Sequence, residues 1–203
     1  MTATTVRAPY ITPYSEERVC FDVALAPDAD AANGRRLTYV TPDPDDWMLG
    51  VLWARQEGHR RGKPLLRDVH TTRQRECMLD MLCQVCHGSA LHDGRVWWLL
   101  PQGIKAPTAT LSKSPTCPAC IPMALASCRA MAGACAYSSA GYEPSGVIGH
   151  VFIRSAGGLQ MAEGVRPGFM HEIPLNASRF LPRTLARALM VRTWDLRREE
   201  TPA

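Results

Sequence analysis

The sequence predicts an α+β fold, in which small antiparallel β elements and separate helices surround a central core. Short stretches alternate apolar with polar residues, turn-forming Gly, Asp and Pro separate these stretches, and longer segments repeat apolar residues at helical spacing. We expect three parts: an N-terminal α/β unit of residues 1–62, a central region of residues 63–135, and a C-terminal region of residues 136–203 that packs with the central one as one domain.

The N-terminal unit is predicted to contain a hairpin followed by a helix. Apolar residues alternate from Val19 to Leu25, residues 28–34 have turn chemistry, and residues 36–41 are predicted to form the second strand. The aspartates of residues 42–46 can cap a helix, which we expect to present its apolar face to the core and to end near residue 57. The basic cluster of residues 59–63 then forms a loop or linker.

The central region is predicted to contain two helices and a hairpin. The first helix covers residues 71–82 and is capped by Thr71 or Thr72. Residues 89–100 form a hairpin around the turn Asp93-Gly94, and residues 108–113 are extended. Pro118 suits the first position of the second helix, which we expect to continue through residue 131.

The C-terminal region is predicted to end in an amphipathic helix. Residues 147–154 and 159–163 form a hairpin pattern around a Gly-containing turn. Residues 182–199 are expected to be helical, with Leu185, Leu189 and Leu196 facing inward and arginines facing solvent.

Composition restricts the compartment and the kind of partner. The N-terminal residues have no signal-peptide pattern, and the longest apolar run, residues 121–141, is too rich in small residues to cross a bilayer. We therefore expect a cytoplasmic protein without a membrane partner. The formal net charge is +4, and basic residues exceed acidic ones on both sides of the cysteine-containing region, which is typical of polyanion binding and also of an ordinary solvated surface.

Two cysteine pairs carry the most specific chemical signal. Cys83-Gln-Val-Cys86 and Cys117-Pro-Ala-Cys120 each place two thiols in one tight turn. Together they complete the tetrahedral four-sulfur shell that Zn²⁺ prefers, with Zn–S bonds of about 2.3 Å. Since four thiolates leave no open coordination position, the predicted zinc is structural.

The order of these elements resembles the treble-clef zinc fingers. A cysteine knuckle, a hairpin and a Cys-Pro-x-Cys at a helix start follow one another over residues 73–131. Within that superfamily the arrangement is most similar to the HNH nucleases, which implies a hairpin histidine as general base and further groups that hold a divalent cation. Only His92 lies in the matching region, it precedes Asp93 instead of following it, and no histidine follows Cys120 before residue 150. The catalytic motif is therefore unmatched, and His92 is the single catalytic candidate.

Several alternatives remain open at this stage. His87 can replace one sulfur, Cys83 to His87 matches the haem c attachment pattern, and Cys117 with Cys120 can be a redox dithiol at a helix start. Haem attachment takes place outside the cytoplasm, which disfavours the second alternative. The other four cysteines are expected to pack as small apolar residues, although Cys128 and Cys135 can also form a second zinc site: Cys20, Cys77, Cys128 and Cys135.

We interpret the chain as a zinc-stabilised binding or regulatory protein with DNA or RNA as the favoured partner. In this interpretation the phosphates contact Arg73, Arg75 and Arg95, and Trp97 or Trp98 stacks on a base. One alternative is a protein-interaction or assembly component with a purely structural zinc. Another is a divergent metal-dependent nuclease, and enzymatic activity is the less favoured reading.

Overall fold

The computed structural model describes residues 8–104, 107–128, 131–162 and 170–202. The fold is mixed α+β and consists mostly of strands, which confirms the predicted class. Among the described residues, no helix is long and apolar enough to cross a membrane. The regular elements are β1 (Val23–Pro27), β2 (Arg35–Tyr39), β3 (Trp47–Met48), β4 (Val51–Trp53), α1 (Thr71–Leu79), β5 (Leu91–His92), β6 (Arg95–Leu100), β7 (Thr110–Leu111), α2 (Ile121–Ser127), β8 (Cys135–Ser139), β9 (Gly141–Ser155), β10 (Gly158–Met161), β11 (His171–Pro174), β12 (Thr184–Trp194) and β13 (Arg197–Arg198).

The chain forms two compact units, each assembled from separate segments. The first unit contains Met1–Glu17, Gly58–Glu143 and Val191–Ala203, and the second contains Arg18–Glu57 and Pro144–Met190. All four cysteines of the two Cys-x-x-Cys pairs belong to the first unit.

The second unit is built from β strands. Its predicted N-terminal hairpin is confirmed, because β1 and β2 pair antiparallel from Val23 opposite Tyr39 to Pro27 opposite Arg35. The Tyr39 hydroxyl donates to the Trp53 carbonyl oxygen at 3.2 Å and accepts the Arg55 amide N–H at 2.7 Å, so this buried hydroxyl has both a donor and an acceptor partner. The core around it consists of Leu37, Tyr39, Leu52, Ala54, Phe152 and Leu185.

The predicted helix over residues 47–57 is wrong. β3 and β4 occupy this segment as an antiparallel pair joined by a turn at Leu49-Gly50, where φ is 57° and 72°. Asp43 is a capping residue as expected, but it caps only the single 3₁₀ turn Pro44–Asp46. The positive φ values are incompatible with a continuous helix, and β4 gains a parallel partner in β12 instead.

The predicted C-terminal helix over residues 182–199 is also wrong. Most of this segment forms the strand β12, which follows the 3₁₀ turn Leu181–Arg183. Leu185 and Leu189 are buried as expected, because residues four apart lie on one face of a strand as well as on one face of a helix. The hairpin over residues 147–154 and 159–163 is confirmed by the pairing of β9 with β10, while Glu163 lies outside the described residues.

The first unit contains both helices and a four-stranded sheet in the order β13-β8-β6-β5. The first predicted helix is confirmed as α1, although His70 caps it through Nδ1 instead of either threonine. The hairpin of β5 and β6 is confirmed too, with Asp93 and Gly94 at φ 50° and 71°. The predicted extended segment contains β7. α2 follows the 3₁₀ turn Pro118–Cys120 and ends at Ser127, before the predicted residue 131.

Candidate metal centre

The four sulfurs of the two cysteine pairs converge on one point. The Sγ atoms of Cys83, Cys86, Cys117 and Cys120 all lie within 4.8 Å of one another. The Sγ atoms of Cys86 and Cys117 are 3.8 Å apart. A tetrahedral ion with Zn–S bonds of about 2.3 Å places its sulfurs about 3.8 Å apart, so the spacing and the donor chemistry both fit Zn²⁺.

The first pair lies in a knuckle that holds its two sulfurs by backbone hydrogen bonds. The amide N–H of Val85 donates to Cys83 Sγ, and that of Gly88 donates to Cys86 Sγ, each at 3.4 Å. The turn is closed by the Cys83 N–H to the Gly88 carbonyl oxygen at 2.7 Å and by the His87 N–H to the Cys83 carbonyl oxygen at 2.9 Å. These bonds orient the two sulfurs of the first pair.

The second pair lies at the start of a helix. Pro118 begins the 3₁₀ turn, and the Cys120 N–H donates to the Cys117 carbonyl oxygen at 3.0 Å. The preceding segment is tied to the knuckle, because Gln84 N–H donates to the Pro115 carbonyl oxygen at 2.8 Å and Gln84 Nε2 donates to Thr116 Oγ1 at 2.7 Å. The two cysteine pairs therefore belong to one hydrogen-bonded substructure.

The environment of the second cysteine pair opposes the ionisation of both its thiols in the metal-free protein. Burial raises the pKa of the Cys117 thiol to about 11. Burial and the hydrogen bond with Cys117 raise the pKa of Cys120 still further. Burial also acts to raise the pKa of Cys86, but the Gly88 N–H and the neighbouring thiols outweigh it and lower that pKa. A bound cation supplies the positive charge that buried thiolates need, and its binding releases their protons.

His87 takes part in a separate hydrogen-bonded group beside the knuckle. Its Nε2 lies 3.0 Å from Glu76 Oε1, and its ring stacks on Tyr10 with a centroid distance of 3.8 Å. The Tyr10 hydroxyl donates to Glu76 Oε2 at 2.7 Å. Burial and this bond to the carboxylate raise the pKa of Tyr10 to about 12. The group that converges on the metal position contains the four cysteines and not His87.

Arg73 and Trp98, two of the residues predicted to contact nucleic acid, are buried. Arg73 is 5% exposed and forms an ion pair with Glu17. Trp98 is 0% exposed, and its Nε1 donates to Ser139 Oγ at 3.0 Å. Neither side chain is accessible to a phosphate or a base in this conformation.

The other three predicted contact residues, Arg75, Arg95 and Trp97, are half-buried. Arg95 donates to Asp195 Oδ2 at 2.9 Å and to Ser138 Oγ at 2.6 Å. Trp97 packs against a cluster that contains Leu99, Ile121 and Ala136. Arg95 and Trp97 therefore have structural partners within the first unit.

His92, the catalytic candidate, is exposed, and its Nδ1 lies 2.9 Å from Asp93 Oδ2. Within the described ranges, the four-cysteine group is the only set of three or more His, Cys, Asp or Glu side chains arranged to hold a metal ion. His92 therefore has no second metal site beside it there. Cys128, which is exposed, and Cys135, which is buried, likewise belong to no second metal site among the described residues.

One exposed basic loop lies outside the set of site residues predicted from the sequence. Residues 61–69 are all exposed and contain Arg61, Lys63 and Arg67. The loop is nevertheless held firmly, because Lys63 N–H donates to Ser15 Oγ at 3.0 Å and Ser15 N–H donates to the Lys63 carbonyl oxygen at 2.9 Å. The run of basic residues from 59 to 63 was the sequence signal for this loop.

Comparison of the chain with protein-family models, curated proteins and solved structures finds no match. The residues themselves define an α+β protein with a four-cysteine site that is suited to a zinc ion.

Proposed function

We propose that this chain is a zinc-stabilised binding protein, in which Cys83, Cys86, Cys117 and Cys120 hold one structural Zn²⁺. The convergence of four sulfurs within 4.8 Å of one another carries the proposal. Four thiolates complete the tetrahedral shell and leave no position for a substrate. The ion therefore stabilises the fold and does not take part in a reaction.

The surroundings of the four sulfurs support a structural role for the ion. The buried cluster at the site consists of Ala90 and three of the cysteines, with Val85 packed against it. Such small side chains bury little apolar area, and burial contributes only about 25 cal/mol per Å². Zinc binding to small domains contributes about 10–16 kcal/mol in apparent terms at neutral pH, which can replace the missing core.

We assign the site to a treble-clef arrangement. The knuckle of the first pair, the β5–β6 hairpin and the helix start that carries the second pair follow in the order typical of that superfamily. The hairpin also contacts the residue before the second pair, since the Thr116 N–H donates to the Trp97 carbonyl oxygen at 2.8 Å.

DNA or RNA is the partner we favour, and the basic loop is the surface we assign to it. Arg61, Lys63 and Arg67 form no ion pair with any described residue. Their charges are therefore free to contact phosphates, in contrast to the paired charges of Arg73 and Arg95. If each of the three replaces one counterion, log K falls with log salt at a slope of about −3.

A protein partner is the second candidate, and the apolar residues of the same loop favour it. Leu66 is 70% exposed, and Leu65 and Val69 beside it are also exposed. A phosphate backbone gains nothing from leucine, whereas an acidic protein surface with an apolar centre can use both the cations and the aliphatic side chains.

Metal analysis tests the zinc site. We expect one zinc equivalent in the native chain and in the Cys128→Ser variant, which changes an exposed cysteine outside the site. We expect loss of bound zinc in Cys83→Ser and in Cys117→Ser, because each removes one ligand. Retention of a full equivalent in both ligand variants would refute the site.

A binding assay with labelled duplex DNA and single-stranded RNA, at about 50 and about 200 mM salt, tests the partner. Replacement of Arg61, Lys63 and Arg67 by serine should abolish salt-dependent binding, while Leu66→Ser should leave it unchanged. If the native chain does not bind either nucleic acid at low salt, the nucleic-acid partner is refuted. A salt-dependent complex with an acidic protein that both variants weaken would support the second candidate.

A further inference from the structure

The four cysteine residues of the metal centre differ in their exposure to solvent. Cys83, Cys117 and Cys120 are buried, whereas Cys86 is exposed. Gly88 leaves space beside the Cys86 sulfur, because it has no side chain and a Cβ there would lie 3.5 Å from Cys86 Sγ. A small reagent in solution therefore meets Cys86 first.

The sulfur that can react with an oxidised Cys86 lies beside it. Cys117 Sγ is 3.8 Å away and belongs to the other cysteine pair. A disulfide has an S–S length of about 2.05 Å, so the two sulfurs must approach by about 1.8 Å to form one. The two sulfurs cannot make this approach while both remain ligands of a tetrahedral ion.

We propose that Cys86 is a peroxide-sensitive modification site, at which a hydroperoxide oxidises the metal centre to a Cys86–Cys117 disulfide and expels the zinc. The inference rests on the proposed zinc site and adds a regulatory property to it. The exposure of residue Cys86 and the 3.8 Å between its Sγ and that of Cys117 carry the proposal.

The chemistry balances with hydrogen peroxide as the oxidant. The Cys86 thiolate attacks one peroxide oxygen, the O–O bond breaks, and the hydroxide that leaves takes a proton to become water. The Cys117 thiolate then attacks the sulfenic sulfur, the S–S bond forms, and a second hydroxide leaves as water after protonation. Two thiolates are oxidised by two electrons in total, one peroxide is reduced to two waters, and the ion is left with two cysteine ligands.

The knuckle is connected to the N-terminal segment, which we define as residues 8–17. Tyr10 N–H donates to the Val85 carbonyl oxygen at 3.0 Å, and Ile11 N–H donates to the Gln84 carbonyl oxygen at 3.1 Å. The Tyr10 ring also stacks on His87. One end of this segment is therefore held by the knuckle, and a displacement of the knuckle backbone acts directly on these contacts.

The N-terminal segment in turn holds the basic loop. Leu65 N–H donates to the Pro13 carbonyl oxygen at 2.8 Å, and Ser15 exchanges two hydrogen bonds with the Lys63 backbone. Expulsion of zinc thus loosens, through this segment, the loop assigned to partner binding. Oxidation would act as a switch that weakens binding of the partner.

Peroxide treatment of the zinc-loaded full chain tests the proposal, with three readouts. A zinc-binding dye should report release of one zinc per two thiols lost. Mass spectrometry should find Cys86 linked to Cys117. Amide hydrogen exchange of residues 8–17 should become faster, and thiol reductant with added zinc should restore the original exchange.

Two variants sharpen the experiment. Cys128→Ser should release zinc at the native rate, because Cys128 is exposed but outside the centre. Cys86→His can still complete a Cys₃His shell, so it should retain zinc and release it at least about ten times more slowly in peroxide. If Cys86→His does not hold zinc, the disulfide mapping in the native chain decides alone.

The outcomes separate this inference from the proposed function. A native chain that holds no zinc after refolding with the metal would refute the proposed function. A zinc-loaded chain that keeps its metal while Cys128 is oxidised, or that links Cys117 to Cys120 first, would refute this inference alone. Unchanged exchange of residues 8–17 after complete zinc release would refute the switch.

Discussion

Replacement of Arg73 by methionine should lower the free energy of unfolding by about 3–5 kcal/mol, because it leaves the Glu17 carboxylate buried without its cation. The two side chains are 6% and 0% exposed. The guanidinium contacts both Glu17 oxygens and donates to the Thr12 carbonyl oxygen at 2.8 Å, so it joins α1 to the N-terminal segment. At about 2–4 °C per kcal/mol for a chain of this size, the midpoint of thermal unfolding should fall by roughly 10 °C.

The pH dependence of stability should report the same pair. Burial acts to raise the pKa of Glu17, but the hydrogen bonds from Arg73 and from the amides of Arg60 and Tyr14 outweigh it and lower that pKa below its ordinary value of 4.5. A carboxyl whose pKa is lower in the folded state stabilises that state above the unfolded-state pKa, and this stability is lost as the pH falls through the folded-state pKa. Native stability should therefore begin to decrease as the pH falls below this ordinary value of 4.5, and Glu17→Gln should show less of this decrease.

Urea denaturation of four proteins measures the coupling between the two residues. The proteins are the native chain, Arg73→Met, Glu17→Gln and the double variant. We expect the double variant to be less destabilised than the sum of the single variants, by about 1.5–3 kcal/mol, since it buries no unpaired charge. Additive effects, or a loss below about 1 kcal/mol in Arg73→Met, would contradict a structural role and would return Arg73 to the set of potential phosphate contacts.

Three further substitutions test particular contacts by chemical denaturation. Gly149→Ala should destabilise the second unit by about 3 kcal/mol, because its Cβ would lie 2.4 Å from the Leu185 carbonyl oxygen; a neutral effect would mean that these strands are farther apart. Tyr39→Phe should cost about 1–3 kcal/mol, since it leaves the Arg55 N–H without the hydroxyl at 2.7 Å, and an unchanged midpoint would show that this N–H has another acceptor. Gly94→Ala should cost about 1–2 kcal/mol because φ is 71° there, whereas a stabilising effect would contradict the turn geometry.

The elements predicted correctly are those whose local chemistry admits one conformation. Asp93-Gly94 suits a two-residue hairpin turn, and the structure has that turn. Pro118 suits the start of a helical turn, and the structure has that too. The spacing of the two cysteine pairs indicated one metal site, and the sulfurs do converge.

The wrong helices arose from patterns that satisfy two periods at once. Leu185 and Leu189 are four residues apart, which is one helical turn and also an even number of strand positions. The choice between them depends on β4, a strand more than a hundred residues earlier in the chain, which pairs with β12. No local signal in residues 182–199 contains that information.

The burial of Arg73, one of the predicted partner contacts, could not be predicted for a different reason. An arginine beside a cysteine pair is equally consistent with a surface charge and with one half of a buried pair. Arg73 is the second kind because Glu17, 56 residues earlier, reaches it. Arg61, Lys63 and Arg67 have no ion-pair partner among the described residues, and only the three-dimensional pairing of charges distinguishes the two kinds of arginine.

The interleaved segments of the two units have a consequence for biosynthesis. The first unit combines Met1–Glu17 with Val191–Ala203, which is more than 170 residues later in the sequence. A ribosome adds roughly 5–20 residues per second, so the earliest segment waits roughly ten seconds or more for its last neighbours. Neither unit is a continuous stretch that can mature alone while the rest is being translated. Nascent chains of this protein should therefore expose unpaired strands until residues 191–203 have been synthesised, and they should depend on chaperones during that interval.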